Sequence, residues 1–151
     1  MKLQTREKMQ GKVLKLFITS DDGEKKRESV ESIELDAEGI LQDKFYGKNL
    51  QRSVLLTSQE SYTMAHNENI EIDYGSLGEN ILLDINPYSL DCGARLFIGD
   101  TEFEITQSCT LCKGLSTLNS KLPKLLKNDR GIFAKVISSK GTIKIGDEVK
   151  F

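Results

Sequence analysis

Short apolar runs separated by turn residues dominate the chain. Gly11 to Thr19 (GKVLKLFIT) alternates Val13, Lys15 and Phe17 with Leu14, Leu16 and Ile18, a pattern that suits a strand with both faces partly covered. Asp21-Asp22-Gly23 breaks it, and Val30 to Leu35 reads as the return strand of a hairpin with a charged tip. Ser53 to Thr57 (SVLLT) predicts a short buried strand. Asn80 to Asp84, Arg95 to Ile98, Glu102 to Thr106, Ile132 to Ile137, Thr142 to Ile145 and Glu148 to Phe151 continue the series, with Gly99-Asp100 and Gly146-Asp147 as turn pairs. Gly39-Ile40-Leu41-Gln42-Asp43 with Gly47 reads as a turn-rich crossing in which Asp43 caps the turn. Two helices interrupt the strands. Thr57-Ser58-Gln59-Glu60 has capping-box spacing and predicts a helix to about Asn67, with Tyr62 and Ala65 on its apolar face. Leu122 to Lys127 predicts a second, with Pro123 in the first turn, where a missing amide costs little. Many short strands with two or three short helices predict a mainly-β barrel rather than a βαβ sheet.

Composition adds limits. The chain has 151 residues, 38% hydrophobic and 29% charged, with two prolines, which fits one globular domain over residues 1–151. A formal net charge of −2 offers no electrostatic footprint for nucleic acid. No apolar run approaches the ~18 residues of a membrane helix, and Met1-Lys2-Leu3-Gln4-Thr5-Arg6 carries no hydrophobic signal core. The expectation is a cytoplasmic protein with no membrane partner, in which Cys92, Cys109 and Cys112 are free thiols.

Candidate chemistry concentrates in Thr106-Gln107-Ser108-Cys109-Thr110-Leu111-Cys112-Lys113-Gly114-Leu115. A C-x-x-C pair at a strand end admits several readings. A structural zinc site needs two more soft ligands, and only Cys92 and His66 are available, both remote. A redox dithiol wants a thioredoxin-like βαβ context that this β-rich chain lacks. A single functional thiolate is favoured by neighbouring positive charge, and Lys113 follows Cys112 directly. Against these stands a pair of small buried apolar residues. Charge is unevenly spread: residues 1–112 hold 12 basic and 20 acidic side chains, whereas residues 113–151 hold 9 and 3. If Lys113, Lys121, Lys124, Lys127, Arg130 and Lys135 converge, they favour an anionic ligand and a thiolate; otherwise Lys121, Lys124 and Lys127 form a solvated helix face. His66, the only histidine, sits late in the first helix, where a surface or capping role is the ordinary one. Asn80, in Gly78-Glu79-Asn80, can contact a ligand or fix the loop backbone. No G-x-G-x-x-G, Walker loop, HExxH or nucleophile elbow is present.

In this order the segments resemble a stand-alone MOSC domain, the module also found at the C-terminus of molybdenum-cofactor sulfurases. The matching stretches are Gly39-Ile40 through Asp43, Gln51 to Leu56, Gly78 to Leu82, Gly93 to Asp100, Glu104 to Gln107 leading to Cys112, Arg130 to Val136 and Gly141 to Asp147. They span about residues 11–151. The resemblance implies a β-barrel of MOSC type, similar to the pyruvate-kinase barrel, and a hallmark cysteine that carries sulfur or binds the molybdenum cofactor (molybdopterin). That cysteine carries over to Cys112, with Cys109 a variable companion. Arg52 and Asn80 carry over as residues near the pterin; Lys113 and Arg130, from the cationic segment after Cys112, join them as cofactor-binding candidates on their charge. A thiolate is a soft ligand for molybdenum, an arginine pairs bidentately with a phosphate, and a persulfide on Cys112 is the other implied chemistry. Where many relatives have His or Arg after the first motif, this chain has Lys44-Phe45-Tyr46, so an acid–base role does not carry over there. The aminotransferase-like domain of full sulfurases is absent from this sequence, and no pyridoxal phosphate is expected in this chain. The implied partners are therefore a separate cysteine desulfurase or an electron-donating reductase, and an anionic pterin cofactor. The implied activities are cofactor binding with sulfur carriage, or reduction of N-hydroxylated bases or amines. A non-enzymatic zinc-binding or interaction module is the remaining reading.

Overall fold

The computed structural model describes residues 9–19, 27–109 and 115–151. Eleven strands and three short helices follow one another along it. The long first strand β1 (Gln10–Thr19) is followed by β2 (Arg27–Val30), β3 (Ser32–Asp36) and β4 (Gly39–Ile40). A 3-10 turn at Leu50–Arg52 leads into β5 (Val54–Ser58), α1 (Gln59–Asn67) and β6 (Ile81–Leu83). Then come β7 (Arg95–Ile98), β8 (Thr101–Ser108), α2 (Leu115–Leu118), α3 (Leu122–Leu125), β9 (Ile132–Ser138), β10 (Thr142–Lys144) and β11 (Glu148–Lys150).

Seven strands close on themselves in the order β11-β7-β8-β9-β5-β6-β1, and β11 pairs back onto β1. The mainly-β barrel with a few short helices is therefore the observed architecture. β1 is long enough to serve two neighbours along one edge: Gln10 to Lys12 face β11, while Leu16 to Thr19 face β2. Its other edge takes β6, with a bulge between Val13 and Lys15. One pair in the barrel is parallel, β5 with β6 (Leu56 opposite Ile81), and its crossover runs through α1, as a parallel connection requires. A small second sheet, β10-β3-β4, covers one end.

Alternation fills the interior. Val54 and Leu56 of β5, Phe103 and Ile105 of β8 and Ile132, Ala134 and Val136 of β9 all join one buried cluster with Ile33, Ile40 and Ile143 of the small sheet. β5 is buried along its whole length because its outward residues are covered too. Outside it, α1, α3 and the start of α2 pack Tyr62, Ala65, Leu115, Leu122 and Leu126 against Leu77 and the outward-facing Leu82. A third, small cluster joins Leu55, Phe133 and Cys109 on the barrel's outer face, with Leu55 and Phe133 directly opposite on β5 and β9.

Two expectations are corrected in detail. The predicted return strand Val30–Leu35 is split at Glu31, whose carbonyl instead receives Ile145 N–H (3.1 Å), so its two halves belong to different sheets. The first helix is capped one residue later than expected: the Ser58 hydroxyl accepts Glu60 N–H (3.1 Å). Thr57 stays in the strand, opposite Leu82, and its hydroxyl donates to the Arg130 carbonyl (3.1 Å). The charged hairpin tip, Asp21-Asp22-Gly23, lies outside the described residues.

Candidate functional site

On the outer face of the barrel, over Leu55 and Phe133, lies a cavity of ≈ 510 Å³. Its walls bring together segments far apart in sequence. β2 contributes Arg27, the loop after β4 contributes Lys44, Phe45, Lys48 and Asn49, and the 3-10 turn contributes Arg52. Leu77, Gly78 and Asn80 come from the approach to β6, Cys109 from the end of β8, and Arg130 from the entry to β9. Five cationic side chains thus line it, and among the described lining residues there is no carboxylate. Fixed positive charge focused in a cleft with apolar walls is an arrangement for an anion.

The guanidinium groups are held but not satisfied. Arg130 Nε and Nη2 both lean on the Leu77 carbonyl (3.4 and 3.3 Å), while its Nη1 is buried with no partner among the described residues. Arg52 stacks over the Phe133 ring, 5.0 Å from its centroid, and its buried Nε is likewise unpartnered. Buried N–H donors are almost always paired in native proteins, so two orphaned donors in one cavity point to a ligand acceptor. Arg27 Nη1 donates to the Glu79 carbonyl (2.8 Å). Burial pulls the Arg27 pKa down, and the charges of Asp43 and Glu79 oppose that shift. Gly78 sits between the two clamped carbonyls with φ +90°, and a Cβ there would have Arg130 Nη2 and Leu55 Cδ2 as its nearest neighbours, each at 3.9 Å. Glycine therefore leaves that part of the wall flat.

The loop bearing Lys44 and Lys48 is pinned from below. Buried Asp43 accepts Thr19 N–H at Oδ1 (2.8 Å) and Phe45 N–H at Oδ2 (3.2 Å), while Lys44 N–H donates to the Thr19 carbonyl (2.8 Å). Asp43 acts as the turn cap its sequence position predicts. Behind the wall, buried Glu79 accepts the Tyr62 hydroxyl (2.6 Å) and Gly75 N–H (3.0 Å) at Oε2. Desolvation raises the pKa of both Glu79 and Tyr62.

Of the residues singled out in the sequence, Arg52, Asn80 and Arg130 meet at this cavity, and Cys109 joins them; Cys112 and Lys113 lie outside the described residues. Asn80 touches the cavity, but its side chain is committed to the backbone: Oδ1 accepts Leu55 N–H (3.0 Å) and Nδ2 donates to the Phe17 carbonyl (3.3 Å). It ties β1, β5 and β6 together, the loop-fixing alternative. The described C-terminal cations do not converge. Lys121, Lys124 and Lys127 are exposed, and Lys135 faces Glu104 (3.7 Å), so Arg130 alone of the described members of that set reaches the cavity. The rest of the positive charge comes from Arg52, which the family resemblance marked, and from Arg27, Lys44 and Lys48, which no local motif marks, although Lys44-Phe45 stood out as a departure from the family pattern. His66 is exposed and pairs with Glu71 (2.6 Å) away from this site. Cys92 is exposed, and among the described residues no group of three or more His, Cys, Asp or Glu could hold a metal ion. No helix is long and apolar enough to cross a membrane among the described residues.

Comparison with solved structures places the fold. The chain superposes on the YuaD protein from Bacillus subtilis with a TM-score of 0.81 at 19% identity, over 95% of this chain and 96% of that one. It superposes on YiiM from Geobacillus stearothermophilus at 0.70 and 14% identity, over 93% and 75% of the two chains. YiiM from Escherichia coli gives 0.69 and 17%, over 94% and 69%. No curated protein matches the sequence. The MOSC domain model matches residues 42–150, most of the barrel together with the whole segment from the Lys44 loop to β11, and the chain belongs to the MOSC domain family.

Proposed function

We propose that this protein binds the molybdenum cofactor in the cationic cavity, with Cys112 as the thiolate that meets the metal or carries sulfur as a persulfide. The observation that carries the reading is the wall itself: five cations, no carboxylate among the described lining residues, and unpartnered buried N–H groups on Arg52 and Arg130. These features fit a flat heterocycle bearing a phosphate. Arg52, Arg130, Lys44 and Lys48 would hold the phosphate, the two guanidiniums with directed N–H groups and the lysines as point charges. Leu55, Leu77 and the flat wall at Gly78 would take the ring, and Asn80 would keep that wall in register. Cys112 follows Cys109, a residue of the cavity wall, by three positions. When bound, the cofactor supplies the metal centre on which redox or sulfur-transfer chemistry depends. A separate cysteine desulfurase or electron-donating reductase would act with the protein.

The test is an anaerobic titration of the purified protein with molybdenum cofactor. Wild type is expected to bind, and Arg52→Ala to bind roughly 10–100-fold more weakly, the loss of one charge-assisted contact. Cys112→Ser is expected to keep the phosphate-dependent part of the affinity and lose the spectroscopic signature of a thiolate on the metal. Failure of the wild type to bind overturns the proposal.

A further inference from the structure

A buried carboxyl group stands directly behind the cavity wall. Glu79 is fully buried, and its chain neighbours Gly78 and Asn80 both line the cavity. Its Oε2 is doubly satisfied by Tyr62 and Gly75, whereas Oε1 has no partner among the described residues. Its own carbonyl takes a hydrogen bond from Arg27, whose guanidinium also forms part of the cavity wall. One cation therefore faces both the ligand space and the buried acid.

Counting charges shows what this implies. Arg27 is the cation that acts on Glu79, but it acts on Asp43 as well, and Asp43 more strongly. Asp43 accepts a backbone N–H at each of its oxygens. Two carboxyl groups thus share one guanidinium, and Glu79 is the one without donors for both oxygens. The remaining groups facing Glu79 are the hydroxyls of Tyr62 from α1 and Tyr88 from the segment after β6, both kept neutral to high pH by burial.

We propose that Glu79 is a positioning residue of the anion site whose proton is coupled to the ligand, so that filling the cavity with an anion takes up a proton at Glu79. The inference rests on the cavity being an anion site. An anion beside Arg27 draws on the field that would otherwise offset an ionised Glu79, and the two negative charges repel through a wall of low dielectric. The proton comes from solvent to Oε1, with no change in oxidation state. Burial already pushes the Glu79 pKa upward in the empty cavity, and the ligand pushes it further. By reciprocity, raising the pH through the titration of Glu79 weakens anion binding.

Calorimetric titration with sulfate, a dianion that does not itself titrate above pH 5, tests this. Measurements in two buffers of different ionisation enthalpy between pH 5 and 9 count the protons taken up. Wild type is expected to take up about half a proton at the midpoint of the titration and to lose about tenfold in affinity across the range. Glu79→Gln, which mimics the protonated acid, is expected to bind sulfate with no such uptake and a flat profile, and His66→Gln to behave as wild type. Sulfate binding without proton uptake, or uptake that survives in Glu79→Gln, overturns the coupling and leaves the anion site standing. Absence of sulfate binding at every pH overturns both. Should Glu79→Gln fail to fold, the infrared carbonyl band of a protonated carboxylic acid in the wild type decides: it must grow on adding sulfate, and an unchanged band refutes the coupling.

Discussion

Removing one hydroxyl, in Tyr62→Phe, is expected to cost about 3 kcal/mol. The Tyr62 oxygen is the centre of a buried knot: it donates to Glu79 Oε2 at 2.6 Å and accepts N–H groups of Gly75 and Leu77 at 3.0 and 3.3 Å. Gly75 N–H keeps Glu79 Oε2 as an alternative acceptor, so its loss is small. Leu77, fully buried, has no second acceptor among the described residues, and a stranded N–H costs about 1–3 kcal/mol. Loss of the bond to the Glu79 carboxyl adds roughly 0.5–1.5 kcal/mol when that group is neutral and more when it is ionised. The phenyl ring keeps its packing against Ala65 and Leu122 and the edge contact with Tyr74, so no transfer term offsets this. In a chain of this size about 3 kcal/mol lowers Tm by roughly 6–12 °C. Urea unfolding of Tyr62→Phe beside Tyr74→Phe, which deletes a hydroxyl bonded among the described residues only to the half-buried Gln59, measures it. If both variants fall within about 0.5 kcal/mol of wild type, the knot has no energetic role and the reasoning fails.

The same acid sets a pH dependence. Burial raises the Glu79 pKa above its ordinary 4.5, so the native state holds the proton longer than the unfolded chain; stability is full below pH 4.5 and falls as pH rises through the native value. Glu79→Gln is expected to remove that decline in a series of unfolding curves from pH 4 to 9; a wild-type stability that rises through the window would contradict it. Asp43→Ala is expected to lose about 2 kcal/mol, since Thr19 and Phe45 N–H groups lose a charged acceptor, and to speed proteolysis within residues 41–48; unchanged digestion would speak against the anchor. Gly78→Ala is expected to cost about 1–2 kcal/mol for a side chain at φ +90° and to weaken sulfate binding by placing a methyl group on the cavity wall. Wild-type affinity in a folded Gly78→Ala would place the ligand elsewhere.

Strands were legible wherever one face is buried, because alternation carries their register. In β5 the continuous run SVLLT marked a buried strand without alternation, and only the structure shows Val54 and Leu56 inward and Leu55 outward. The two-residue β4 was not legible: Gly39-Ile40 has turn composition, and only pairing with Leu35-Asp36 makes it a strand. Thr57 and Ser58 are equally good caps in isolation, and the choice falls to Ser58 because β6 holds Thr57 in the sheet. The family resemblance marked Arg52 and Asn80, and Arg130 stood out among the C-terminal cations, but the remaining cations of the cavity were invisible along the chain. Its cations sit at positions 27, 44, 48, 52 and 130 and are gathered only by barrel closure and by the Asp43 anchor. Asn80 could be read both ways, and its two backbone hydrogen bonds show the strut while its place on the cavity wall keeps it beside the ligand space.

The barrel is shut where its first and last strands meet. β11 lies between β1 and β7, and Met9 and Phe151 exchange both backbone hydrogen bonds, at 2.8 and 3.1 Å. A growing chain therefore carries two open hydrogen-bonding edges, along β1 and β7, until residues 148–150 are free to insert. Unpaired edges recruit other strands, so the vulnerable interval is the one between synthesis of β7 and the arrival of β11. Deleting that strand would make the interval permanent: the expected product is a sheet that seeks a neighbour, not a slightly weaker barrel.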